Sequence, residues 1–172
     1  MVERIVEEVK SRTQVAGKVI LFGHSAGGQF VHRWALLGGK KNVDVIAVAN
    51  SGWFTMPDRD IDYPYGIKNV GITDEELGEA FAKPVILFMG EKDVGRKPPF
   101  RDTPEADAQG MNRMERCTNY FRQCKAKAEE LKVPFRWKLE TVEGAAHQGV
   151  KMAEGAAAYI FGKSSEDGNR RV

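Results

Sequence analysis

The chain has 172 residues, with 26 Lys and Arg against 24 Asp and Glu and a formal net charge of +2. That length suits one domain with a sizeable core and is short for two; the interspersed charges form no basic stripe, which argues against nucleic acid and for a small-molecule partner. No apolar run approaches the roughly eighteen residues that span a bilayer, and the opening MVERIVEEVK carries acids where a secretory leader is basic, so a soluble, cytoplasmic protein without membrane association is expected.

In chain order, Val2, Ile5, Val6 and Val9 follow the i, i+3, i+4, i+7 spacing of an amphipathic helix about a dozen residues long, ending near Ala16-Gly17. Residues 19–22 are an uninterrupted apolar run, the kind that both faces of a parallel sheet cover. A second helix is expected over 26–37, stopped by Gly38-Gly39, and residues 43–49 form a second β-rich run. The short spacing makes a βαβ unit with parallel neighbours.

After Asn50-Ser51-Gly52-Trp53 comes an aromatic, proline-bearing stretch to about Ile72, containing Tyr63-Pro64-Tyr65-Gly66 and expected to be loop or lid rather than core. Thr73 with Glu76 is a capping box opening a short helix over 74–81. Residues 84–89 read as a third strand, 95–104 as loop, and 105–131 as one long helix ended by Pro134. A fourth, more alternating strand over 135–142 is expected near a sheet edge, followed by a closing helix over 149–161. Cys117 and Cys124 stand about 10 Å apart along the long helix, beyond disulfide reach, and fit a reduced protein. The order α-β-α-β-α-β-α-β-α predicts a doubly wound parallel α/β sheet of about four strands over residues 1–162, with 163–172 a polar, disordered tail.

The chemistry concentrates around Gly23-His24-Ser25-Ala26-Gly27, a G-x-S-x-G pattern between the first strand and second helix. Such a turn lifts a serine hydroxyl clear of the sheet in a strained conformation, with Gly23 and Gly27 expected to supply clearance. Ser25 then lies at a helix N-terminus, where unpaired N–H groups and the dipole favour an oxyanion. The pattern is short and arises by chance in glycine-rich chains; the strand before it and the helix after it give it weight.

Sites in open α/β sheets gather beyond the carboxyl ends of strands. Ser25 follows the first, Gly90-Glu91-Lys92-Asp93 the third and Gly144-Ala145-Ala146-His147 the fourth, the order Ser, Asp, His of a hydrolase triad on this topology. His147 would take the serine proton and Asp93 would orient the imidazole. Among alternatives, His24 is expected to point away from the site and His32 lies two turns down the helix. Glu91, or Asp58, Asp60 or Asp62 from the irregular stretch, remain candidate acids.

The elbow, the acid after the third strand and the late histidine resemble the α/β-hydrolase superfamily. HSAGGQFVHRWALL with ANSGWFTMPD and YPYG is similar to esterase-type hydrolases akin to polyhydroxyalkanoate depolymerases and feruloyl esterases, over residues 19–161. The resemblance implies a carboxylic ester substrate, an acyl-enzyme, no cofactor and no metal, with the Ala26 N–H as one oxyanion donor. It also implies that Asn50, Trp53 and Tyr63 line the substrate pocket, although Trp53 and Tyr63 serve equally as hydrophobic caps of their loop.

The family's sheet resembles eight strands, and its first half, including the loop with the second oxyanion donor, precedes the elbow. Here about eighteen residues precede the first strand, so the chain is expected to be a C-terminal half or truncated product with limited activity alone. The apolar strand over 19–22 would then be an uncovered edge, calling for a homodimer or a partner chain. A catalytically silent interaction module is the competing expectation; acyl transfer and peptidase action are lesser ones.

Overall fold

A computed structural model describes residues 2–13, 17–38 and 42–167, with side chains through residue 162; Ala16 and Gly39, read from the sequence as parts of helix stops, lie outside the described residues. The elements are α1 (Val2–Thr13), β1 (Ile20–His24), α2 (Ala26–Leu36), β2 (Val45–Ala49), α3 (Asp74–Phe81), β3 (Val85–Gly90), α4 (Pro104–Asp107), α5 (Arg113–Glu130), β4 (Lys138–Val142) and α6 (Gly149–Asp167). The four strands form one parallel sheet in the order β1-β2-β3-β4.

Strand alternation divides the core. Ile46 and Val48 of β2 with Val85, Leu87 and Met89 of β3 face one side, where they pack on Leu36, Leu77, Phe81, Cys117, Tyr120 and Cys124 from α2, α3 and α5. Ala47, Ala49, Ile86 and Phe88 face the other and pack on Met152 and Ala156 of α6. Helices therefore cover both faces, as the doubly wound reading expects. Both cysteines are free and buried, and burial pushes both thiols up.

Helix α3 has the capping box read from Thr73 and Glu76, with side chain to backbone bonds in both directions. Three other expectations are corrected. The stretch after β2 is core rather than lid: Trp53, Phe54, Met56, Tyr65 and Ile67 are buried. A buried loop must satisfy its backbone, and here Gln109 bonds both the N–H and carbonyl of Phe54, His32 accepts from Thr55 N–H, and Arg116 donates to Gly52 O.

The long helix is two, because Gly110 at φ +144° breaks the chain where an added Cβ would meet Glu115 Cβ at 2.7 Å. The fourth strand begins only at Lys138, since Phe135 and Trp137 are used in aromatic packing around Phe81 and Phe121. Helix α6 runs past Phe161 to Asp167; the side chains of the expected tail, and residues 168–172 entirely, lie outside the described residues. No described helix is long and apolar enough to cross a membrane.

Candidate active site

Ser25 joins β1 to α2 at φ 56°, ψ −116°. Its N–H donates to Ala49 O at 3.0 Å and its carbonyl accepts from Gln29 N–H at 3.0 Å, so backbone bonds on both sides hold the turn. Gly23 is required by space: a Cβ there would lie 2.3 Å from Gly27 O. Gly28 is required likewise, 2.6 Å from Ser51 Oγ, whereas a Cβ on Gly27 would meet nothing within 4 Å. The expected clearance from Gly27 thus belongs to Gly23 and Gly28.

Although Ser25 is the N-cap of α2, its side chain caps nothing. The hydroxyl instead reaches His147 Nε2 at 2.9 Å, and His147 Nδ1 reaches Asp93 Oδ2 at 2.7 Å. A carboxylate only accepts, so Nδ1 carries the hydrogen and Nε2 is left as an acceptor for the serine O–H. The structure thus brings Ser25, His147 and Asp93 into one hydrogen-bonded line. Ala26 stands exposed beside it as the first residue of α2, where backbone N–H groups have no acceptor within the helix.

The loop carrying His147 is clamped from several sides. Lys92 N–H donates to Ala145 O, Glu91 accepts from Gly144 N–H, and Lys151 Nζ donates to Gly144 O. Gly90 allows the approach, since a Cβ there would lie 2.8 Å from both Ala145 O and Ala146 O. Asn50 completes the clamp: Nδ2 donates to Ala146 O at 3.0 Å and Oδ1 accepts from Gly90 N–H at 2.7 Å. Its amide bridges two loops rather than facing a substrate pocket.

The remaining candidates fall elsewhere. Trp53 is buried against Tyr65 and Ala106, with the guanidinium carbons of Arg33 and Arg101 at 5.0 and 5.5 Å from its ring, the hydrophobic-cap alternative. Tyr63 is 52% exposed and borders an open depression with Leu37 and Val70. Leu37 ends α2, a helix about 16 Å long, so Tyr63 sits at the far end of that helix from Ser25. Glu91 is committed to Gly144, Asp62 pairs with Lys68, and Asp58 and Asp60 border α5 near Lys127 and Glu130; Asp93 is the acid on His147.

His24 does not point away: its ring centroid lies 4.7 Å from that of His147. Burial first, then His147 and Arg113, hold its pKa below the ordinary histidine range, although Asp93 opposes this. The residue that sequence reading missed is Arg113, whose Nη1 donates to Asp93 Oδ1 at 3.1 Å with both side chains 5% exposed. Nothing in the local pattern RMERCTNYF distinguishes it from a solvated helix arginine.

Neither a family model nor a curated protein matches the sequence. Solved structures do. The chain is 33% identical to poly(aspartic acid) hydrolase-1 from Sphingomonas sp. KT-1, with a TM-score of 0.87 over 93% of this chain and 61% of that one. It is 31% identical to LpqC, a poly(3-hydroxybutyrate) depolymerase from Bordetella parapertussis, with a TM-score of 0.85 over 94% of this chain and 55% of that one. It therefore spans somewhat over half the length of these proteins. TT1662 from Thermus thermophilus, at 15% identity and a TM-score of 0.50, shares the fold alone.

Proposed function

We propose, from the esterase-type α/β-hydrolase fold that this chain carries, that it is a serine hydrolase cleaving carboxylic esters through Ser25, His147 and Asp93. The observation that supports this most is the single imidazole between Ser25 Oγ at 2.9 Å and Asp93 Oδ2 at 2.7 Å.

In that reading Ser25 Oγ attacks the ester carbonyl carbon while its proton passes to His147 Nε2. Asp93 keeps the ring in the required tautomer and stabilises the imidazolium. The carbonyl oxygen, now anionic, takes the Ala26 N–H and the positive end of α2. The tetrahedral adduct collapses as His147 returns the proton to the departing alcohol, leaving an acyl-serine. Water then attacks the acyl carbon, gives one proton to His147, and the acid leaves as Ser25 regains that proton.

Poly(3-hydroxybutyrate) is ester-linked, and the depolymerase neighbour supports that substrate class. The poly(aspartic acid) hydrolase neighbour favours a second reading, the same sequence of steps on an amide. Incubation with p-nitrophenyl butyrate, oligomeric 3-hydroxybutyrate and oligo(aspartic acid), with products identified by mass spectrometry, separates them. Acid and alcohol from the first two substrates are expected; release of new amino termini from the third alone would replace the ester reading with the amide one.

A further inference from the structure

We propose that Arg113 is a positioning residue for this reaction, gripping the Asp93 oxygen that His147 leaves free; the inference rests on the serine hydrolase reading above. The carboxylate is held by both ends, Oδ2 by His147 Nδ1 at 2.7 Å and Oδ1 by Arg113 Nη1 at 3.1 Å. Neither oxygen can swing away without breaking a bond, and the imidazole plane follows the carboxylate it is bonded to.

The placement of Arg113 is costly by two independent criteria. It is the first residue of α5, where a cation opposes the positive end of the helix dipole. Its side chain is 5% exposed, and desolvating a guanidinium is expensive unless all its donors are used. They are not, because the buried Nε has no partner. A buried ion pair is weak evidence for stability, since apolar replacements are often neutral or better. A local rule broken this way is expected where geometry rather than stability is being maintained.

Arg113 is itself fixed. Nη2 donates to Pro99 O at 2.7 Å, and the guanidinium carbon lies 5.0 Å from the centre of the Phe100 ring. The residue thus ties three segments together: the turn after β3 that carries Asp93, the 98–101 loop and the start of α5. Because it touches Asp93 and not Ser25 or His147, it would act through the carboxylate.

The test compares wild type, Arg113→Met and Arg113→Lys on p-nitrophenyl butyrate, each also in an Asp93→Asn background, with circular dichroism to establish folding and fluorophosphonate labelling of Ser25 to count competent sites. A misplaced catalytic group costs about 10²-fold. Arg113→Met is therefore expected to lose roughly 10- to 100-fold in kcat with KM changed less than about threefold. Arg113→Lys, which keeps the charge and one anchor, should recover part of the loss. In the Asp93→Asn background Arg113→Met should change kcat less than twofold.

A folded Arg113→Met that keeps the wild-type kcat, or that loses as much in the Asp93→Asn background as with Asp93 intact, overturns the inference while leaving a labelled Ser25 in place. Should Arg113→Met not fold, Arg113→Gln carries the same comparison, and a wild-type kcat for it overturns the inference. A wild type that takes no label at Ser25 overturns the hydrolase reading, and the role of Arg113 with it.

Discussion

At φ 56° and ψ −116°, Ser25 sits outside the backbone wells that side-chain-bearing residues prefer, a strain of about 1 to 3 kcal/mol. The bonds to Ala49 and Gln29 hold it there, and Gly23 lets the first turns of α2 pack closely on the end of β1. Gly23→Ala is expected to prevent correct folding, because its Cβ would collide with backbone at 2.3 Å, and thermal melting would register the loss. Gly27→Ala is expected to be neutral or stabilising by up to about 1 kcal/mol, the helix-propensity difference, since the space over Gly27 is open. A melt showing the two substitutions equally damaging would refute this account of the elbow. For chemistry, His147→Ala is expected to lower kcat/KM on p-nitrophenyl butyrate by about 10³-fold or more. Retention of more than a tenth of the wild-type value would exclude it as the base. Ser25, Asp93 and His147 were legible because each follows a strand at the carboxyl end of the sheet. Arg113 was not, because a helix-opening arginine becomes informative only when its partner across the fold is known.

Helix α2 carries one histidine, His32, which is buried in the core. His32 Nδ1 donates to Gly28 O at 3.0 Å and Nε2 accepts from Thr55 N–H at 3.0 Å, which requires the neutral ring. Burial pushes its pKa down to about 3. The unfolded chain protonates near 6.5, so His32 contributes stability fully above that pH. As pH falls from 6.5 towards 3 the unfolded state gains a proton that the folded state refuses, and stability drops by up to about 1.4 kcal/mol per pH unit. Urea midpoints measured from pH 7 to 4 are expected to fall, and fall less steeply in His32→Gln. Equal slopes would show that His32 is not responsible. The same histidine explains why residues 52–67 read as a lid: the side chains that bond its backbone from outside, His32, Gln109 and Arg116, are 20 or more residues from the groups they bond. Helix α3 was legible because its capping box is local, and the break at Gly110 was missed because one glycine in an otherwise helical run does not announce its φ.

Over the whole molecule, the sheet is paired inward from β1, and the described residues place no strand on its outer side. Beside it, Ile5 and Val9 of α1 are 57% and 52% exposed and, with Val6 and Val19, border an apolar groove. A parallel strand is ordinarily covered on both faces, and a bare edge is a template for association. Self-association in light scattering is accordingly expected, weakened in Ile5→Lys with Val9→Lys; a monodisperse monomer at high concentration would contradict it. The matched structures are longer chains, and labelling of one serine reads the constellation described here without requiring turnover of a substrate. The most direct measurement is therefore peptide-mapped labelling with a fluorophosphonate. One adduct is expected, on Ser25, abolished in Ser25→Ala and slowed about 10³-fold in His147→Ala. A folded chain that takes no label, or takes it at Ser25 equally fast without His147, would contradict it.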